Sequence, residues 1–309
     1  MAYLWIVAAA SAAFFQALRY ASLKELNKYL SPAVTGYTRI LFALPFLVIH
    51  LLVVLHVADQ PLPRLSPWFL AMTSLGALGQ FLGTVLMVRL FQIGNFAVGT
   101  MLAKADAVMT AIIGSLLFSE HISDAGWFAI LMTVAGVMIV STGRLPFGSL
   151  LASGTSFASL LFGPSTRLGL IIALVNAVSY LLIREAMLTL QSTQSVGPAV
   201  AAATTGTVLT ALSATFLGVW LLLMERPGLL LIRHHVRLGC FIGVASALGT
   251  LLWFLATALT NASYVAAVAQ VQIVFALAIS RYWFRESIRA IELAGIALIL
   301  AGVMMFRFV

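Results

Sequence analysis

Acidic residues are scarce in this chain, with nine Asp and Glu among 309 residues against 17 Lys and Arg. The nine are scattered singly, so the clustered Asp, Glu or His that an intramembrane lipid or glycosyl transferase would want at the bilayer edge is missing. Cysteine occurs once, at Cys240, which excludes an internal disulfide and a thiolate metal site; it reads as a small core residue. No GxxxxGK[ST] segment occurs, so this chain alone does not use ATP, and neither a cofactor nor a metal is expected. Only 8% of residues are charged while 62% are hydrophobic and the mean hydropathy is +1.09, a composition no soluble domain has.

Apolar runs of about 20 residues, each enough to cross roughly 30 Å of hydrocarbon, can be laid out ten times. They fall near 3–19, 33–55, 67–89, 96–118, 124–142, 168–187, 197–223, 237–258, 263–283 and 288–306. The first shows no cleavage-site pattern and reads as a retained helix. The expected fold is all-α, with ten transmembrane helices.

The ten runs form two copies of one unit, offset by 166 residues. Pro32-Ala33-Val34 recurs as Pro198-Ala199-Val200, Gly83-Thr84 as Gly249-Thr250, Asn95 as Asn261, Glu120 as Glu286, and Ala135-Gly136-Val137-Met138 as Ala301-Gly302-Val303-Met304. Residues 1–142 make the first five-helix repeat, 143–166 a linker rich in Gly, Ser and Pro, and 167–309 the second repeat. An odd number of spans per copy turns the copies upside down to each other, the architecture of alternating-access transporters.

The five-span unit, with Pro opening its second helix (Pro32, Pro198), Gly-Thr in its third, and a Glu-containing turn before a last helix that ends in Ala-Gly-Val, resembles the EamA-type repeat of the drug/metabolite transporter superfamily. The resemblance spans nearly the whole chain. It implies a ten-helix carrier of small metabolites with a central cavity between its halves, with export favoured over import. Members carry amino acids, nucleotide derivatives, sugars or organic cations, so the substrate is not named by it.

The net charge of +8 does not point to nucleic acid, because basic residues between membrane spans commonly fix orientation. Loops after odd-numbered spans carry Arg19, Lys24, Lys28, Arg89, Arg144, Arg167, Arg226, Arg233, Arg237, Arg281, Arg285 and Arg289; the other side carries Arg64, Arg184 and Arg307. The positive-inside rule then puts both termini outside, whereas the resemblance implies both inside. His234-His235 lie in a basic stretch suited to an anionic lipid surface rather than a metal.

Lys104 and Asp106 fall in the middle of the fourth run, where a charge costs at least ~2.5–3.5 kcal/mol unless it is paired, neutralised or wet. Two residues apart, they point to nearly opposite helix faces and cannot form a simple pair. The repeat maps Lys104 onto Gln270 and Asp106 onto Gln272, giving a substrate site with one ionic and one amide wall; a purely structural lock between helices is the competing reading. Gln16, Tyr37, Arg39, Gln80, Asn176, Tyr180 and Trp253 are further candidates at cavity depth. Arg39 is equally suited to snorkelling, and Tyr180 and Trp253 either stack on a ligand or pack.

Asp106, well inside a span, is the first candidate for proton coupling, since an apolar setting disfavours a charged carboxylate; Lys104 opposes that effect. Glu120 and Glu286 read as caps of the following helix or partners of Arg285 or Arg289. Gly76, Gly79, Gly83, Gly239, Gly243 and Gly249 read as close-packing positions.

The sequence therefore points to a secondary transporter of a small polar or zwitterionic metabolite in a bacterial inner or plasma membrane. Its partners are the substrate, the lipid bilayer and a candidate proton, and monomer and homodimer stay open. An uncoupled facilitator or channel and an intramembrane transferase are the alternatives.

Overall fold

The structure, a computed structural model, describes residues 3–92, 104–143, 164–283 and 289–308. Among them it is helical with no strand. The helices are α1 (Leu4–Leu26), α2 (Pro32–Val57), α3 (Pro67–Gln92), α4 (Asp106–Leu117), α5 (Asp124–Gly143), α6 (Pro164–Gln194), α7 (Pro198–Met224), α8 (Val236–Leu259), α9 (Ala262–Val268), α10 (Gln272–Trp283) and α11 (Ala290–Met305). A short helix at Arg226–Leu231 and a 3-10 turn at Ile232–His235 lead into α8. Among the described residues, nine candidate spans and one shorter apolar helix, Asp106–Leu117, fall in the ten expected runs. Residues 96–103 of the fourth run, 144–163 of the linker, Asn95, Arg285 and Glu286 lie outside the described residues.

Helix starts follow from local chemistry. The first turn of a helix has N–H groups without an internal partner, and proline there sacrifices a donor that was orphaned anyway. Ser31 accepts the Val34 N–H at 3.3 Å ahead of Pro32, Ser66 the Phe69 N–H at 3.2 Å around Pro67, and Ser123 the Gly126 N–H at 3.1 Å. The helix α2 runs through Pro45 without a break.

The packing has a two-fold pattern. In it α1 lies on α8 and α6 on α3, α10 touches α1 and α4 touches α6, while α2 meets α7 and α5 meets α11. Exchanging the halves maps each contact onto another or onto itself, which is the pseudo-symmetry of two inverted five-span repeats. Without water to drive helices together in lipid, small residues let backbones approach. A Cβ added at Gly243 would sit 2.5 Å from the Phe42 carbonyl oxygen, and one at Gly76 would sit 2.9 Å from the Ile183 side chain, so these glycines are packing positions, as expected. Large apolar side chains such as Ile49, Leu52 and Val53 on α2 face outward, as a lipid-facing surface requires.

The ninth run stands as one candidate span, Ala262–Ile279, with a 3-10 turn at Ala269–Val271 between α9 and α10. Two expectations are corrected. Arg19 and Arg184 are not loop residues, because α1 and α6 continue well past the apolar runs that contain them. Cys240 is exposed on α8 rather than in the core. It sits beside Gly239, which is the residue of that turn packed against Phe42.

Candidate functional site at the helix interruption

Asp106 is the first residue of α4, where the helix dipole favours a carboxylate. It is 7% exposed, deep in an apolar bundle, so its charge needs polar neighbours. Its Oδ1 accepts a hydrogen bond from Gln270 Nε2 at 3.1 Å, and the Tyr180 hydroxyl lies 3.5 Å from its Oδ2. The Tyr180 ring in turn lies 5.3 Å from the Trp253 ring, the planes tilted by 51°. Four expected residues, Asp106, Gln270, Tyr180 and Trp253, are thus brought together from α4, the 3-10 turn, α6 and α8.

Gln270 sits at the centre of the 3-10 turn between α9 and α10, and Gln272 opens α10. Gln270 Oε1 and Gln272 Oε1 are both buried and without a hydrogen-bond partner. Under the repeat symmetry, the mate of the Asp106–Gln270 bond would join Lys104 to Gln272. That mate bond is absent, and Lys104 stands half-buried in the turn before α4 with no ion pair among the described residues. The site is therefore polar, asymmetric and only partly satisfied.

The other candidates are dispersed. Gln16 on α1 is half-buried, its Cγ 3.7 Å from where a Cβ at Gly249 of α8 would lie. Asn176 on α6 packs against α3, its Oδ1 2.9 Å from the Cβ position of Gly83. Tyr37 belongs to an apolar cluster with Leu217 and Leu221, pressed on Gly218 of α7. Gln80 is half-buried on α3, and Arg39 is half-buried on α2 near Arg19 and Tyr20. These five do not join the Asp106 cluster through any hydrogen bond among the described residues.

A second polar assembly, at the end of the bundle where α4 stops, escaped the sequence reading. The N–H groups of Phe118 and Glu120 both donate to the Gly114 carbonyl, at 3.1 and 3.0 Å, and Ser119 adopts φ 53°, which folds Glu120 back into the bundle. Glycine at 114 leaves room, since a Cβ there would sit 2.8 Å from Glu120 Oε2. Glu120 Oε1 accepts the Ala262 N–H at 2.9 Å, and its Oε2 accepts the Ser263 hydroxyl at 2.5 Å. Glu120 thus caps α9 in the other repeat, not the helix that follows it. Its ionic partner among the described residues is Arg184, Nη1 at 3.5 Å, rather than Arg289; Arg285 lies outside those residues. Arg184 also donates to the Thr260 carbonyl at 3.0 Å and to Asn261 Oδ1 at 3.2 Å, and Asn261 Nδ2 donates to the His121 carbonyl at 2.9 Å. The available signal was a charged residue inside an apolar run.

Two five-span units, meeting at a polar turn inside an apolar bundle, define an integral, multi-pass membrane protein of the inverted-repeat class. More specifically, the chain belongs to the EamA-like transporter family, whose model matches residues 3–142 and 167–308, within the drug/metabolite transporter superfamily that its motifs resemble. It is a membrane transporter by family, acting on small molecules within a lipid bilayer. A solved structure described as the crystal structure of a protein aligns with a TM-score of 0.69 at 15% identity, over 98% of this chain and 95% of the other; that likeness is one of fold. No match to a curated protein was found.

Proposed function

We propose that the protein is a secondary transporter that moves a small polar or zwitterionic metabolite, such as an amino acid, by alternating access, in the direction of export, across a bacterial inner membrane. The observation that carries this reading is Asp106, buried at the start of α4 and held by Gln270 and Tyr180 at the 3-10 turn of the ninth span. Irregular helical turns inside a span present polar groups where a carrier must replace a solute's hydration shell. The unpartnered Gln270 Oε1 and Gln272 Oε1 offer acceptors to a ligand ammonium, with Asp106 as its counter-charge. Tyr180 and Trp253 supply an aromatic wall on which a cation or ring can rest. A proton on Asp106 could exchange with such a cation, which makes Asp106 the coupling candidate.

The test is counterflow in proteoliposomes over a panel of amino acids, analogues and organic cations, comparing the native protein with Asp106→Asn and Lys104→Gln at equal incorporation. Exchange by the native protein that both variants lose supports the site. Equal exchange by all three proteins sinks it, and exchange unaffected by a pH gradient rejects proton coupling.

A further inference from the structure

Three cations lie towards the end of the bundle where α1 stops and α2 begins, and the one carboxylate within electrostatic reach of Lys104 among the described residues, Asp106, is already held by Gln270 and Tyr180. Arg19 on α1 is 7% exposed, its Nε has no hydrogen-bond partner, and its guanidinium carbon lies 4.9 Å from the ring centroid of Tyr20. Arg39 on α2 and Lys104 before α4 lie within electrostatic reach of Tyr20 as well, and Arg39 within reach of Arg19. Both arginines sit seven residues from the helix ends that meet at this turn, Leu26 and Pro32. At 1.5 Å per residue that is about 10 Å inside.

Glu25 pairs with Lys28 at 2.6 Å, Asp106 is engaged by Gln270 and Tyr180, and Glu120 by Arg184 at the opposite end. No ion pair among the described residues reaches Arg19, Arg39 or Lys104, and the only carboxylate side chain outside those residues is Glu286. A guanidinium taken out of water without a counter-charge or full hydrogen bonding is strongly unfavourable, so such a group is retained when a ligand completes it.

We infer that Arg19, Arg39 and Lys104 form a binding site for the anionic group of a solute, a carboxylate or a phosphate, with Tyr20 beside it. Guanidinium forks match both groups in a bidentate manner. Gln16 lies one helical turn from Tyr20 on the same face of α1 and extends the polar surface away from the helix end. The inference deepens the transport reading and rests on it for what is carried: three cations against the single carboxylate of Asp106 select an acidic zwitterion or dicarboxylate over a basic solute. An anionic lipid headgroup offers the same phosphate chemistry, so the experiment must separate the two sources.

The experiment uses the purified full-length protein in nanodiscs of phosphatidylcholine, and in nanodiscs containing phosphatidylglycerol. Thermal unfolding is followed against glutamate, succinate, inorganic phosphate and lysine at constant ionic strength, for the native protein, Arg19→Gln, and Arg64→Gln as an exposed control at the other end. In phosphatidylcholine, at least one of the three anions should raise the unfolding temperature and lysine should not. The apparent dissociation constant should rise about tenfold or more in Arg19→Gln and stay unchanged in Arg64→Gln. Equal responses to glutamate and lysine, or an anion response that Arg19→Gln retains, overturn the site. Stabilisation by phosphatidylglycerol with no solute response also overturns it and assigns the cations to lipid. Should Arg19→Gln not fold, Arg39→Gln gives the same readings. If Asp106→Asn abolishes transport while anion binding ignores Arg19, this inference fails and the transport reading stands; the converse pattern separates them the other way.

Discussion

At the end of the bundle where α4 stops, the Glu120 carboxylate receives the Ala262 N–H, the Ser263 hydroxyl and the Arg184 guanidinium. Towards the end where α1 stops, in the opposite half, the Arg19 guanidinium is also buried, yet its Nε–H donates to nothing and its neighbour is the face of Tyr20. Both groups sit in the same apolar bundle, so burial does not distinguish them; their neighbours do. The Glu120 assembly ties α4, α6 and α9 together across the two repeats, and every bond in it is made within the chain. The Arg19 group leaves hydrogen-bonding capacity unused. Charge that fastens the bundle and charge available to a ligand are thus separable by counting partners.

The sharpest way to break this contrast is to remove Glu120. Glu120→Ala leaves Arg184 without its counter-charge and the α9 start without its acceptor, which should destabilise the protein by about 3–5 kcal/mol. Thermal unfolding in detergent measures it, and adding Arg184→Ala should cost less than the two separate losses combined, because the partners share one interaction. A loss under about 1 kcal/mol would mean the assembly is ornamental. At the other end the sign reverses: Arg19→Leu removes an unpaired buried charge and should stabilise the ligand-free protein by about 1–2 kcal/mol. Destabilisation of similar size would show that Arg19 has a partner that holds the fold.

A smaller effect separates neutral from ionic bonding at the Glu120 end. The Tyr264 hydroxyl accepts the Ser123 N–H at 3.2 Å and its ring lies 6.2 Å from Trp5, stacked. Tyr264→Phe keeps the ring and loses the acceptor, so unfolding should shift by about 1 kcal/mol. A shift as large as that of Glu120→Ala would place Tyr264 inside the ionic assembly rather than beside it.

The helix starts were readable because Ser31-Pro32 and Gly197-Pro198 carry their own stop and start signals. The spans were readable because length and hydropathy suffice for a bilayer. The 3-10 turn at Ala269–Val271 was not, since Ala-Val-Ala-Gln-Val-Gln has no glycine or proline to mark it. Arg19 and Arg184 were misplaced for a related reason: hydropathy marks where an apolar run weakens, whereas α1 and α6 persist beyond that point. The 166-residue offset pairs Lys104 with Gln270 and Asp106 with Gln272, but it yields equivalence, not adjacency. Asp106 bonds to the mate of Lys104 instead of its own mate, a diagonal that only the folded arrangement of α4 against the 3-10 turn produces.

Asp106 lies between the two ends in character as well as place, since it has partners but only neutral ones. Asp106→Asn can keep an oxygen for Gln270 Nε2 while losing the charge, so stability should change by no more than about 0.5 kcal/mol, in line with the modest net value of polar contacts between membrane helices. Transport should fall at least about tenfold, because a neutral amide cannot serve as the counter-charge of a cationic group in a low-dielectric site. The two readings together decide the matter. A large drop in unfolding temperature would move Asp106 into the same structural class as Glu120, whereas unchanged stability with unchanged transport would leave its charge without a role and return attention to the unpaired cations around Arg19.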